Sequence, residues 1–352
     1  EINIMTIYGD ITPRTAAYVV KELLKRGMPY MVFEKFGQAK PIPKNSTKTI
    51  SFRRYFLKQT FADGFTPAEY FTSTNFDPTN KVLTEGQTPV ATDLGKLDLT
   101  ATLTQYGDRT EVTDVIQDTH EDPVLQEAIE ILGEQAAVIL EKARYNILVG
   151  GSNVVYTAGT SRSGVNAKDT IKHLRLAERT LKRQLAKPVT SIVRSTPAYG
   201  TEPVPPAFVA VCHPDLEYDL GQISTFVPAE KYGSISPWEN EIGKVGYIRF
   251  VTSTLVTPIV GAGASGGTNV IETSGNADVY PILIFAKDAY GLVPLKGKNA
   301  IIPMVLNPTV SDSDPLAQRG HASWKAMQTT VILNDAWMTR IECACTADNS
   351  LT

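Results

Sequence analysis

Apolar and polar positions divide the chain into a few long elements separated by turn-rich stretches. The clearest pattern lies in "EDPVLQEAIEILGEQAAVILEKARYNILVGG". There Leu125, Ala128, Ile129, Leu132, Ala136, Ile139, Leu140, Ala143 and Ile147 recur at steps of three and four. That period gathers them on one face of a helix. Asp122 is a natural N-cap, Pro123 suits the first helical position, and Gly150-Gly151 ends the run. The spacing predicts a helix from Pro123 to Leu148, a rod of about 39 Å.

Other elements are shorter. "TPRTAAYVVKELLK", Thr12 to Lys25, reads as a helix capped by Thr12. "KTISFRRYFL" reads as a strand. "KLDLTATLTQYGDRTEVTD" alternates, with Leu97, Leu99, Ala101 and Leu103 on one face and Gly107 expected to break the run. Between these strands lies a long polar stretch that carries Phe61, Phe65, Tyr70, Phe71 and Phe76. A loop beyond about 15 residues in a compact domain is commonly functional, and its aromatic rings want burial. Strands and loop together predict a projecting two-stranded arm.

A second helix is expected in "DTIKHLRLAERTLKRQLAKP", with Leu174, Ala177, Leu181 and Leu185 on one stripe. Lys168, Lys172, Arg175, Arg179 and Lys182 form another. From Phe208 onward strands alternate with short elements, so the fold class is α+β with mixed or antiparallel sheets.

Charge changes this picture locally. The 352-residue chain carries a net −3, yet residues 1–60 hold eleven Lys or Arg against four Asp or Glu. Five of those cations fall in "FGQAKPIPKNSTKTISFRRYFL", whose two prolines keep it extended. The outer face of the long helix is opposite in sign, with Glu127, Glu130, Glu134 and Glu141 against Lys142. Three cysteines cannot build a disulfide framework, no signal peptide is evident, and no run reaches membrane-span length. A chain made in a reducing cytoplasm is expected, and its start at Glu1 rather than Met is expected to mean an N-terminus trimmed, processed or left out.

Sites of chemistry are tested and set aside. "GAGASGG", Gly261 to Gly267, contains G-x-G-x-x-G but no helical period follows it. Cys212 and His213 are adjacent at a strand end, where side chains point to opposite faces. Cys343 and Cys345 lack partners for a zinc site. Glu239 and Glu241 carry no positional signature. The basic stripe of the second helix is the best nucleic-acid candidate, although a solvated helical face is the ordinary reading. No catalytic residue, cofactor or metal is assigned. A soluble enzyme or ligand-binding protein with a scattered site, and a DNA-binding structural protein, stay open on these residues. The projecting elements favour surfaces made for other copies of the chain.

Several segments also resemble, in order across roughly residues 30–345, the N4-type major capsid proteins of tailed bacteriophages. They are "FGQAKPIPKNSTKTISFRRY", "LTEGQTP", "QYGDRTEVTD", "DPVLQEAIEILGEQAAVILEKARYNIL", "TLKRQLAKP", "HPDLEYDL", "NEIGKVGYIRFV", "DVYPILIFAKDAYGLVPL" and "DPLAQRGHASWKAMQTTVILNDAWMTRIECA". The resemblance implies a Hong Kong 97-like capsid fold. Residues 1–44 would be the N-terminal arm, 45–112 the E-loop and its base, and 113–164 the P-domain with its spine helix. Residues 165–299 would form the A-domain and 300–352 the returning P-domain strands. The segment between Arg54 and Leu83 is longer than the family's usual loop.

It further implies a homo-oligomer of hexamers and pentamers in an icosahedral shell, assembled in the bacterial host cytoplasm. A cement or decoration protein and a portal would be possible partners. Packaged DNA would be held without sequence specificity, and no membrane would be involved. Inter-subunit contacts are expected at Lys40, Lys44, Lys48, Arg53 and Arg54, and at Phe61, Phe65, Tyr70, Phe71 and Phe76. The arm of one subunit is expected to cross Glu130 and Glu134 of another. The long helix is expected to pack on a sheet formed partly by "TTVILNDAWMTRIECA".

Overall fold

A computed structural model describes residues 31–42, 47–58, 67–89, 91–113, 124–193, 201–232, 237–295, 301–306, 315–316 and 318–347. The helix expected at Thr12 to Lys25 lies outside them. In chain order come β1 (Gln38–Ala39), β2 (Thr49–Leu57), helix α1 (Pro67–Phe71), β3 (Leu94–Thr102), β4 (Thr104–Thr113) and helix α2 (Val124–Leu148). Then follow β5 (Val154–Tyr156), α3 (Ile171–Arg183), β6 (Val189–Val193), β7 (Thr201–Cys212), α4 (Glu217–Gly221) and β8 (Val227–Pro228). Next are β9 (Glu241–Val245), β10 (Ile248–Thr252), β11 (Glu272–Thr273), β12 (Asn276–Ala277) and β13 (Tyr280–Phe285). The last are β14 (Tyr290–Pro294), β15 (Ile301–Leu306), β16 (Arg319–Ile332) and β17 (Met338–Cys343).

The long helix forms where its period places it, one residue short of the expected start. Ile129, Leu132, Ala136 and Leu140 press on Ala322, Trp324 and Ala326 of β16 and on Ile301. β16 alternates buried and exposed positions over most of its length, as one covered sheet face requires. The seat of the helix therefore lies before the expected "TTVILNDAWMTRIECA". Only its last turn, Tyr145 and Leu148, joins the cluster that contains Met338.

β16 is the hub of a five-stranded sheet ordered β1-β14-β16-β15, with β4 also paired to β16. Gly107 does not break its strand. It lies inside β4 opposite Lys325, and a Cβ there would meet the Trp324 carbonyl oxygen at 2.8 Å. Glycine permits this close approach of two backbones.

The second sheet has eight strands, ordered β5-β17-β13-β7-β10-β9-β8 with β6 on β7. Both faces are covered, so β13 is buried at every position. Ile282 and Ile284 face Leu174, Ala177 and Leu181 of α3. Leu283 and Phe285 face Tyr145 and Leu148 of α2 together with Phe33 and Phe36. Leu185, expected on the α3 stripe, falls beyond the helix with φ of 55° and is exposed. Lys168 also precedes the helix, bridged to Ala344.

β2 and β3 form a separate antiparallel ribbon, in register from Thr49–Thr102 to Leu57–Leu94. Nine residues make it about 30 Å long. Its inward face becomes more buried toward the base, where Ala101, Leu103, Ile50 and Phe52 pack with Ile42, Val293 and Val331. The hairpin β11–β12 follows the glycine-rich loop, in which Gly261 and Gly266 take positive φ. No helix follows it that could present amides to a phosphate.

Candidate assembly surfaces

The segment 31–42 is bound to its own subunit. Val32 and Phe33 each donate a backbone N–H to Glu141 Oε1 at 2.6 Å. Arg144 donates to Glu141 Oε2 at 2.9 Å, to Glu34 at 3.3 Å and to Gln328 at 2.9 Å. Tyr290 donates its hydroxyl to the Phe33 carbonyl, and Lys35 pairs with Glu239 at 2.6 Å. β1 then runs parallel to β14. The expectation that residues 1–44 cross another subunit fails for this part. Its apolar side chains, Val32, Phe33, Phe36 and Ile42, are core residues, and core burial outweighs exposed charge pairing.

Glu141 was expected on the acidic outer face, but it is completely buried. Burial pushes its carboxyl upward, against the pull of Arg144 and the two backbone amides. The outer face keeps exposed Glu127 and half-buried Glu130 and Glu134. Lys40 is exposed and sits 5.3 Å from the centre of the Phe52 ring. Lys48 is exposed, and Lys44 lies outside the described residues.

On the ribbon, Arg53 makes a two-pronged contact with Asp98 across the strands, at 2.7 and 3.0 Å. Arg54 is half-buried on the opposite face. Beyond the ribbon, Tyr70, Phe71 and Phe76 stack into one cluster, with ring centres 4.8 to 5.3 Å apart. The Tyr70 hydroxyl accepts from the Leu57 N–H at 3.2 Å, which ties the cluster to the ribbon end. Ala68 N–H donates to Gln184 at 3.2 Å, just after α3. The cluster is not self-sufficient: Phe71 is 51% and Phe76 39% exposed. Val82, Leu83, Tyr55 and Leu94 add exposed apolar surface on the same projection. Phe61 and Phe65 lie outside the described residues.

Reaction chemistry finds no comparable arrangement. Cys212 is buried, and burial pushes its thiol up to about 12, so it holds no thiolate at neutral pH. His213 turns away to accept from Asp215 N–H and to pack against Tyr280. Among the described residues, no group of three or more His, Cys, Asp or Glu could hold a metal ion. No described helix is long and apolar enough to cross a membrane. Sequence reasoning missed the Glu241–Arg249 pair, which is buried with the guanidinium 3.8 Å from the Trp238 ring. Its signal was the charged pair set eight residues apart within an apolar hairpin.

The family described as "Phage capsid protein" matches residues 96–337. No curated protein matches the chain by sequence. Among solved structures, it is similar to the capsid of the cyanophage P-SCSP1u, with TM-score 0.58 and 15% identity over 90% of this chain and 88% of that one. The capsid of Ralstonia phage GP4 gives TM-score 0.60 at 11% identity, over 89% and 88% of the two chains. The capsid asymmetric unit of cyanophage Pam1 gives 0.60 at 12%, over 92% and 93%. At such identities likeness speaks for the fold, which is the Hong Kong 97-like capsid fold. The family match carries the rest. Because it spans most of the chain, from the ribbon strand β3 to the start of β17, the chain belongs to the phage capsid protein family, as a structural, non-enzymatic component of a virion shell built from copies of itself.

Proposed function

We propose that the chain is the major subunit of the icosahedral shell of a tailed phage, of the N4-type group, arranged in hexamers and pentamers around double-stranded DNA. The observation that carries this is the ribbon β2–β3 and its aromatic tip. A separate two-stranded projection exposes Tyr55, Phe71, Phe76, Val82, Leu83 and Leu94. Large exposed apolar groups gathered on one projection fit a partner surface better than solvent. On this reading residues 45–112 are the E-loop, the five-stranded sheet with α2 is the body of the P-domain, and the eight-stranded sheet with α3 is the A-domain. β17, within the returning segment 300–352, pairs into that second sheet. Lys44, Lys48, Arg54, Glu130 and Glu134 are the charged contacts between subunits, beside Lys40 and Arg53, which are already engaged within the chain, and Phe61 and Phe65 are further apolar contacts. A cement protein and a portal would dock on the finished shell.

Electron microscopy of the purified protein tests the reading. Closed icosahedral particles of megadalton mass are expected. A small, uniform oligomer at every concentration and salt tested would overturn it.

A further inference from the structure

The outer face of α3 is a row of exposed cations. Lys172, Arg175, Arg179, Lys182 and Arg183 are all exposed, while Leu174, Ala177 and Leu181 are buried against the sheet. With Glu178 as the one carboxylate, the helix carries a net +4 in a chain of net −3. Glu178 is itself buried. It accepts from Arg175 at 3.0 Å and from Lys182 at 2.5 Å, which fixes two of the five cations in place. Lys182 also lies 3.9 Å from the centre of the exposed Tyr247 ring. Among the described residues, Lys172, Arg179 and Arg183 have no ion-pair partner. A merely solvated helical face needs no buried carboxylate to orient it.

We propose that this face binds the phosphate backbone of double-stranded DNA without reading its sequence. Cations at steps of three and four residues follow one another every 4 to 6 Å or so along the helix, and clustered cations are all that phosphate binding requires. A second copy of the chain fits less well. Protein interfaces bury apolar cores and deplete lysine, whereas the outer α3 face sets five cations around half-buried Ile171 and Leu176, with the exposed Tyr247 ring at its edge. The inference rests on the shell reading, and its test separates the two because particle formation and DNA binding are measured independently.

The experiment is fluorescence anisotropy of a random-sequence duplex with the purified chain, kept below the concentration at which particles form. Each neutralised phosphate contributes about −0.9 to the slope of log affinity against log salt. Four contacts predict that affinity falls about a hundredfold between 50 and 200 mM salt, and two contacts about tenfold. Lys172→Gln with Arg179→Gln is therefore expected to lower low-salt affinity and reduce the slope by about two, equally for every duplex sequence. Lys142→Gln with Lys231→Gln removes the same charge elsewhere and is expected to change neither. Equal losses in both double variants would make the binding a net-charge effect and overturn the assignment. Unchanged DNA binding with reduced particle yield would give the face to a second copy instead, and no DNA binding by the unaltered chain would also overturn it.

Discussion

Glu141 shows how a residue can look like surface in the sequence and serve as a core anchor. It occupies a polar gap in the helical period, yet it receives two backbone N–H groups from residues more than a hundred positions earlier. Nothing local signals that pairing. Its environment sets a pH dependence. Burial is the largest influence and raises its carboxyl, while Arg144 and the amides of Phe33 and Val32 pull the other way. Glu34 and Tyr290 also face Arg144. A raised folded pKa means that the folded chain keeps a proton the unfolded chain has released. The resulting stabilisation is complete below the unfolded value, about 4.3, and is lost as pH rises through the folded one. Glutamine cannot titrate. The stability of the natural chain relative to Glu141→Gln should thus be most favourable at low pH and fall as pH rises, by at most about 1.4 kcal/mol per unit. Urea unfolding of the unassembled protein from pH 4 to 7 measures it. A difference that grows with pH would mean that Arg144 and the amides outweigh burial.

Among elements, the ribbon and the strand that continues it place two separable demands on the sequence. In β4, Gly107 lets the chain pass against the Trp324 carbonyl. That oxygen belongs to backbone and cannot rotate away, so Gly107→Ala should displace β4 from β16. A cost of about 1–3 kcal/mol is expected, read as a lower urea midpoint. An unchanged midpoint would show that the sheet yields at little cost. At the tip, Phe71→Ser with Phe76→Ser should leave that midpoint nearly unchanged, since both rings are substantially exposed. Particle yield should drop sharply in sedimentation. Normal particles from this variant would place the apolar contact elsewhere. The strands and the long helix were legible because period and caps are local properties. The role of Gly107 was not, because a glycine in a strand pattern reads equally as a break or as a close approach. Only the partner strand more than two hundred residues away decides between them. The aromatic tip was legible as residue types, whereas its triangular stacking depends on how α1 turns back onto the ribbon end.

For the whole molecule, the question is where a basic, proline-rich beginning ends and the subunit's own body starts. Part of the local positive charge is spent inside the chain: Lys35 meets Glu239, Arg53 meets Asp98, and Lys40 lies over Phe52. Charge counting could not reveal this, because it is blind to the four apolar residues interleaved with those cations. Phe33 is completely buried, its ring centre 6.3 Å from that of Phe285, and its carbonyl accepts the Tyr290 hydroxyl. It joins the end of α2 to the inner face of the eight-stranded sheet. A strap between subunits and a piece of core fail differently when cut. Phe33→Ala should lower the stability of the unassembled subunit by about 3–5 kcal/mol, the usual cost of emptying a buried aromatic site. Lys48→Ala should leave that stability within about 0.5 kcal/mol, as exposed charges do, and act only on particle yield or its salt dependence. Urea unfolding and sedimentation of both variants give the comparison. Full subunit stability in Phe33→Ala together with lost particles would return residues 32–42 to the role of a strap. Loss of stability before any assembly would fix the boundary between body and arm on the N-terminal side of Val32.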